Sequence, residues 1–278
     1  MNDQPFEIFG GVHIFSLLII VLMTVWLSLV YKDRTDGQKS GMAKILAYIL
    51  IAHIASSPIK DLFILENPYS WKEVLPLHMC DLSEIFMAWF LLGGPKLLYK
   101  CAFFWGIGGA SMALITPDVY FYDLEYLYFF IGHGAIILTI IYATVVLGNR
   151  PYFKDILTVS AITVFILLPM IYAINLILGE PANYWYLLTK PIGANIMDLF
   201  PEPPLHIFYT IPIATVVFFL IYLPYAIKDR LNRQKSRRRR RRRIREEEEE
   251  EEREREIERE REREGERERE RESERERE

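Results

Sequence analysis

Seven times within its first 230 residues the chain stays apolar for about twenty residues and then breaks into a short polar link. Few folds accept that pattern. An α-helix rises 1.5 Å per residue, so ~20 apolar residues cross the ~30 Å hydrocarbon layer of a bilayer. A helix also satisfies its own backbone N–H and C=O groups where no water can. A soluble core does not alternate so many long apolar runs with such short links. The runs cover residues 11–31, 42–59, 75–92, 97–116, 124–147, 156–178 and 205–227. Pro169, Pro212, Gly106, Gly108 and Gly109 fall inside them. Membrane helices tolerate both residue types, and glycines let helices approach closely. The first run lacks a basic flank and a small-residue cleavage pattern, so it reads as a span and not as a removable signal. The expectation is an all-α, polytopic membrane helical bundle of about seven transmembrane helices over residues 1–230, followed by a charged tail at 231–278.

Charge gives the sidedness. From residue 237 onward the chain holds 18 Arg and 20 Glu, which leaves 15 basic and 17 acidic residues in the first 236. The net charge of −4 therefore says little about partners, and nothing points to nucleic acid. Lys32, Arg34, Lys39 and Lys44 follow the first run; Lys96 and Lys100, then Arg150 and Lys154, occupy later links on the same side; Lys228, Arg230, Arg233 and Lys235 follow the last. The opposite links hold only Lys60, Lys72 and Lys190. Basic residues accumulate on the cytoplasmic side, so the N-terminus is expected outside and the C-terminus inside, in a multi-pass protein of the cell membrane. Residues 237–243, seven consecutive arginines, would either serve as a topology anchor leading into a solvated segment or hold anionic lipid head groups there. Beyond Ile244 comes a Glu run and then Arg-Glu alternation, in which i,i+3 neighbours attract and i,i+4 neighbours repel. With no apolar stripe to bury, that segment is expected to be disordered or a fraying helix.

Ionisable residues inside spans are costly and default to functional hypotheses. With the N-terminus outside, all five histidines, His13, His53, His78, His133 and His206, fall in the outer half. Asp61, Asp81, Glu84 and Asp118 lie at similar depth. The simplest account is a polar cavity open on the outer side, where His13, His53, Lys190 and Asp198 would contact a head group or solute. Pro76 suits a first helical position, which would set Cys80 in the first turn of its span. Free N–H groups and the helix dipole there favour a thiolate. His78 and Cys80 are two residues apart and do not share a face, so Cys80 would find its base on another helix. His133 fits best, because Gly132 and Gly134 leave room beside it for a substrate or a neighbouring backbone. His78, Asp81, Glu84 and Asp118 would support the pair. The second cysteine, Cys101, lies near the inner end of its span, too far in depth for a disulfide with Cys80. No histidine pair has ligand spacing on one helix, and no metal or other cofactor is expected.

Several segments resemble the YwaF-like integral membrane family. They are Leu75-Pro-Leu-His-Met-Cys-Asp-Leu-Ser83, Phe104-Trp-Gly-Ile-Gly-Gly-Ala110 running to Leu114-Ile-Thr-Pro-Asp118, and Phe129-Phe-Ile-Gly-His-Gly134, with Asn183-Tyr184, Lys190-Pro191 and Asp198 before the last run. The resemblance extends from His13 to about Pro224. That family is similar, more distantly, to an animal transmembrane acyltransferase that moves a polyunsaturated acyl chain onto lyso-ether phospholipid with one Cys and one His. The resemblance places that Cys on Cys80 and that His on His133, and implies membrane phospholipids or lysolipids as partners. The other reading is a non-enzymatic transporter or lipid- or solute-binding protein in which Asp81, Glu84, Lys190 and the histidines are ligands and Cys80 only packs. No inverted repeat or broken helix pair is evident, which weakens the transporter form of that reading.

Overall fold

The computed structural model describes residues 5–65, 68–190 and 196–275. Among them it is built from helices: α1 (Gly11–Lys32), α2 (Asp36–Phe63), α3 (Met79–Leu91), α4 (Lys96–Ile115), α5 (Leu124–Val145), α6 (Phe153–Ile162), a π-helical turn (Thr163–Leu167), α7 (Leu168–Leu178) and α8 (Ile207–Arg275). Short 3₁₀ turns lie at Tyr184–Tyr186 and Ile196–Leu199. The protein is an all-α polytopic membrane bundle. Among the described residues six helices are long and apolar enough to cross a bilayer, with α6, the π turn and α7 forming one of them.

The helix expected at 75–92 departs from that length. It starts at Met79, spans 13 residues and is ~20 Å long at 1.5 Å per residue, short of the ~30 Å hydrocarbon layer. The reason is local. The Asp81 carboxylate accepts the backbone N–H of His78 at 2.9 Å, which fixes His78 in an extended conformation as the N-cap. Pro76 therefore lies before the helix, not at its first position.

Packing is inverted relative to a soluble protein. Leu18, Leu22, Trp26 and Leu29 of α1 are exposed, as are Phe165, Ile166 and Ile177 around α7, and lipid is the natural solvent for them. The best-buried helix is α4, whose Tyr99, Cys101, Ala102, Phe104 and Trp105 are almost fully enclosed. It packs on α3, α5 and α6. Gly106 makes this possible: a Cβ there would come within 2.5 Å of Ile140 Cδ1 and 2.7 Å of Ile136 Cγ2, so α5 fills the space a side chain would need. The Trp105 indole N–H donates to Thr163 Oγ1 at 2.9 Å, tying α4 to the π turn. Lys100 of α4 pairs with the buried Asp155 of α6 at 2.6 Å.

Compact units divide between Leu223 and Pro224. The second unit contains the charged tail, which is helical through Arg275. Ion pairs form at the two edges of the Glu run, Arg242–Glu246 at 2.7 Å and Arg255–Glu251 at 3.1 Å, both spaced i,i+4. The block boundaries thus supply the attractive spacing that strict alternation lacks. Arg and Glu are also good helix formers in their own right.

Candidate functional site

Helix α3 packs on α2, α4 and α5. Cys80 is the second residue of α3 and is half-buried, with its thiol free. A Cβ built on Gly109 of α4 would lie 3.6 Å from Cys80 Sγ, an ordinary van der Waals distance. The glycine therefore leaves a small open face beside the sulfur. One turn deeper on α3, Glu84 is 4% exposed. Its Oε2 lies 2.9 Å from Nδ1 of His53 on α2. The other ring nitrogen of His53, Nε2, is 3.1 Å from the Tyr128 carbonyl of α5. A carbonyl only accepts, so Nε2 carries a proton. The single proton between Nδ1 and the carboxylate then makes the contact either a neutral hydrogen bond or an ion pair. Gly132 is what admits this ring. A Cβ at 132 would strike the imidazole, coming within 2.7 Å of Nε2, and would approach Glu84 Oε1 to 3.1 Å.

His133 follows directly. Its Nδ1 lies 2.8 Å from the Phe129 carbonyl one turn back, and its ring lies tilted against that of Phe129, 4.2 Å between centroids. Nδ1 must donate, which leaves Nε2 with a lone pair in the neutral ring. That is the tautomer a general base needs. The glycines flanking His133 are spoken for by side chains: Gly132 by His53, and Gly134 by Ile20 of α1, whose Cγ1 would lie 2.9 Å from an added Cβ.

The remaining candidate residues have separate fates. His13 is fully buried, and both its nitrogens are used: the Phe9 N–H donates to Nδ1 at 2.8 Å, so Nε2–H donates to the Leu114 carbonyl at 2.8 Å. Phe6, Phe9 and Phe130 surround the ring, which leaves no nitrogen for a head group. His78 packs under Tyr184 and Tyr186, at 5.1 Å and 6.0 Å between ring centroids. This loop is well anchored. Asn175 exchanges hydrogen bonds with the Tyr184 backbone, the Tyr184 hydroxyl bridges Lys72 O and Leu75 N, and the Trp185 indole donates to Leu77 O. Trp185 and Tyr186 take positive φ values of 61° and 53° to make the bend. Asp118 is exposed and reaches the Tyr120 hydroxyl. Lys190 bonds the Phe200 carbonyl at 2.9 Å and Glu202 at 3.0 Å. Asp198 is exposed in the last 3₁₀ turn. Pro191, which the resemblance also used, lies outside the described residues.

Two partnerships were not foreseen from the sequence. One is His53 with Glu84. The other sets Lys60, 5% exposed, beside Asp61 and 5.3 Å from the centre of the Tyr128 ring. Depth arithmetic carried a signal for the first, since both residues fall at similar depth on helices joined by one link. Among the described residues no group of three or more His, Cys, Asp or Glu side chains is arranged to hold a metal ion.

Sequence comparison resolves the family. A model of the TMEM164 family matches residues 8–222. The chain belongs to the TMEM164 family. This is a family of membrane proteins, and the match takes in α1 to α7 and the apolar first part of α8 while leaving out the Arg/Glu tail. No curated protein and no solved structure matches the chain significantly.

Proposed function

We propose that this TMEM164-family protein is a membrane acyltransferase that moves an acyl chain between phospholipid and lysolipid through a thioester on Cys80, with His133 as base. One observation carries the reading. Gly106 of α4 faces Ile136 and Ile140 of α5, and successive spans joined by a short loop run antiparallel. Three residues further along α4, Gly109 then comes level with the turn of α5 that holds His133. Gly109 is also the residue beside the Cys80 sulfur. The register therefore favours a meeting of thiol and imidazole next to this glycine.

In the first half-reaction His133 Nε2 takes the thiol proton, and the thiolate attacks the ester carbonyl of a phospholipid. The first-turn N–H groups of α3 are suited to stabilise the oxyanion. The ester C–O bond breaks, and the imidazolium returns its proton to the departing lysolipid oxygen. In the second half a lysolipid hydroxyl gives its proton to His133 and attacks the thioester. The C–S bond breaks, and the imidazolium reprotonates the thiolate. Purified protein given a labelled phospholipid and an unlabelled lysolipid should transfer label and accumulate a hydroxylamine-sensitive adduct on Cys80. Full transfer by Cys80→Ala would exclude the mechanism. Lysolipid binding without transfer by the native protein would favour the binding-protein reading.

The Lys and Arg distribution supports a cell-membrane protein with this site towards the outside. An impermeant maleimide on intact cells should then label Tyr69→Cys and spare Arg34→Cys. The arginines at 237–243 are exposed, and we propose that they hold anionic head groups. Replacing them with Gln should weaken tail binding to phosphatidylserine vesicles.

A further inference from the structure

The acyl-transfer mechanism leaves unused the polar contact at which α2, α3 and α5 meet, the half-buried His53 against the buried Glu84. We infer that His53 and Glu84 are positioning residues that hold the helix carrying Cys80 and the helix carrying His133 in working register; this rests on the acyl-transfer reading. Three contacts build the case. Glu84 shares a face of α3 with Cys80, four residues apart, and is bonded to His53 at 2.9 Å. His53 bonds the Tyr128 carbonyl at 3.1 Å, immediately before Phe129, whose own carbonyl fixes the His133 ring at 2.8 Å. Gly132, immediately before His133, is shaped around both partners, since any side chain there would collide with the His53 ring and crowd Glu84.

The chemistry explains why a polar clamp is used where an apolar contact would be cheaper. Inside hydrocarbon, association between helices lacks a hydrophobic drive, so packing and interhelical hydrogen bonds set helix position. His53 is bonded at both ring nitrogens, to α3 on one side and α5 on the other. Rotation or sliding of either helix by one residue would break at least one of these bonds and strain the pairing of the buried Glu84 carboxyl. The bonds are directional as well, which a leucine contact would not be.

The test is a set of variants in reconstituted protein, read by acyl transfer and by the rate at which iodoacetamide alkylates Cys80 in a Cys101→Ala background. Glu84→Ala should lower kcat about 10- to 100-fold with KM little changed, the loss expected when a catalytic pair is displaced by about an ångström. Glu84→Gln keeps a hydrogen bond to His53 and should restore most of the rate. Gly132→Ala displaces His53 from the opposite side and should reproduce the Glu84→Ala defect. Wild-type kcat in folded Glu84→Ala or Gly132→Ala, or equal losses in Glu84→Ala and Glu84→Gln, would overturn the positioning role. If instead His133→Ala leaves both transfer and alkylation unchanged, the acyl-transfer reading itself fails, an outcome distinct from the others. Monodisperse elution and the melting temperature in detergent separate misfolding from displacement.

Discussion

Two histidines of the bundle, His13 and His133, sit in neighbouring regions and are used in opposite ways. Around His13, the N-terminal segment, α1 and the end of α4 close on one another, and every polar atom of the ring is bonded. Around His133, only Nδ1 is bonded, and to the residue's own helix. The first ring is a rivet: it ties Phe9 to Leu114 across 105 residues of sequence and has no valence left for chemistry. The second is fixed in orientation and keeps a basic nitrogen in reserve. Counting histidines at one depth could not tell these cases apart. Counting their spent nitrogens does.

The sharpest way to break this contrast is to delete each ring. His133→Ala should lower acyl transfer by ~10²- to 10⁴-fold, the usual worth of a general base, while the melting temperature in detergent stays close to wild type. His13→Ala should do the reverse. It strands the buried Leu114 C=O, at about 1–3 kcal/mol, and releases the Phe9 N–H, so the melting temperature falls while folded protein keeps its turnover. Comparable activity losses in both variants would dissolve the distinction.

A smaller effect separates the two glycines of α4. Gly106→Ala forces a Cβ against Ile136 and Ile140 and should cost about 1–3 kcal/mol through overpacking, read as a lower melting temperature. Gly109→Ala meets only the Cys80 sulfur at 3.6 Å. It should fold normally and slow alkylation of the thiol. An unchanged alkylation rate would mean that reagents approach the sulfur from elsewhere.

The smallest effect concerns His206, beside α8. Burial, with the Lys190 ammonium nearby, holds its imidazole below the usual range. Its neutral form is the one the fold accepts, so this contribution is present above the ordinary value of ~6.5 and is lost as the pH falls through the depressed one. The melting temperature should therefore drop slightly between pH 7.5 and pH 5, and His206→Gln should flatten that slope. An unaltered slope would remove His206 as the cause.

Much of this molecule can be read from its apolar periodicity, because lipid leaves the backbone few choices. The runs read at 11–31, 42–59, 97–116 and 124–147 coincide closely with the helices at 11–32, 96–115 and 124–145 and fall within the longer one at 36–63. What escaped is decided by single hydrogen bonds. Pro76 looked like a helix start, yet Asp81 caps His78 and moves the start to Met79. Gly132 and Gly134 suggested space for a substrate, yet side chains from α2 and α1 fill it. The tail shows the converse. Its alternating charges left disorder and a fraying helix both open; the segment is helical, and the edges of the Glu run provide the pairs that alternation denies. Cys80, His133, His53 and Glu84 were all visible as unusual polar residues. Which of them touch was not, since that depends on helix rotation to within a fraction of a turn.

Rotation is also where the π turn at Thr163–Leu167 has its consequence. A π turn accommodates one extra residue, which shifts the angular phase of everything beyond it by about 100° relative to an uninterrupted α-helix. Asn175, a little over two turns further on, bonds the Tyr184 backbone from that shifted phase. The surplus residue acts as a vernier between α6 and α7: excising one residue from 163–167 would leave the span apolar and helical while aiming the amide away from the loop that roofs the start of α3.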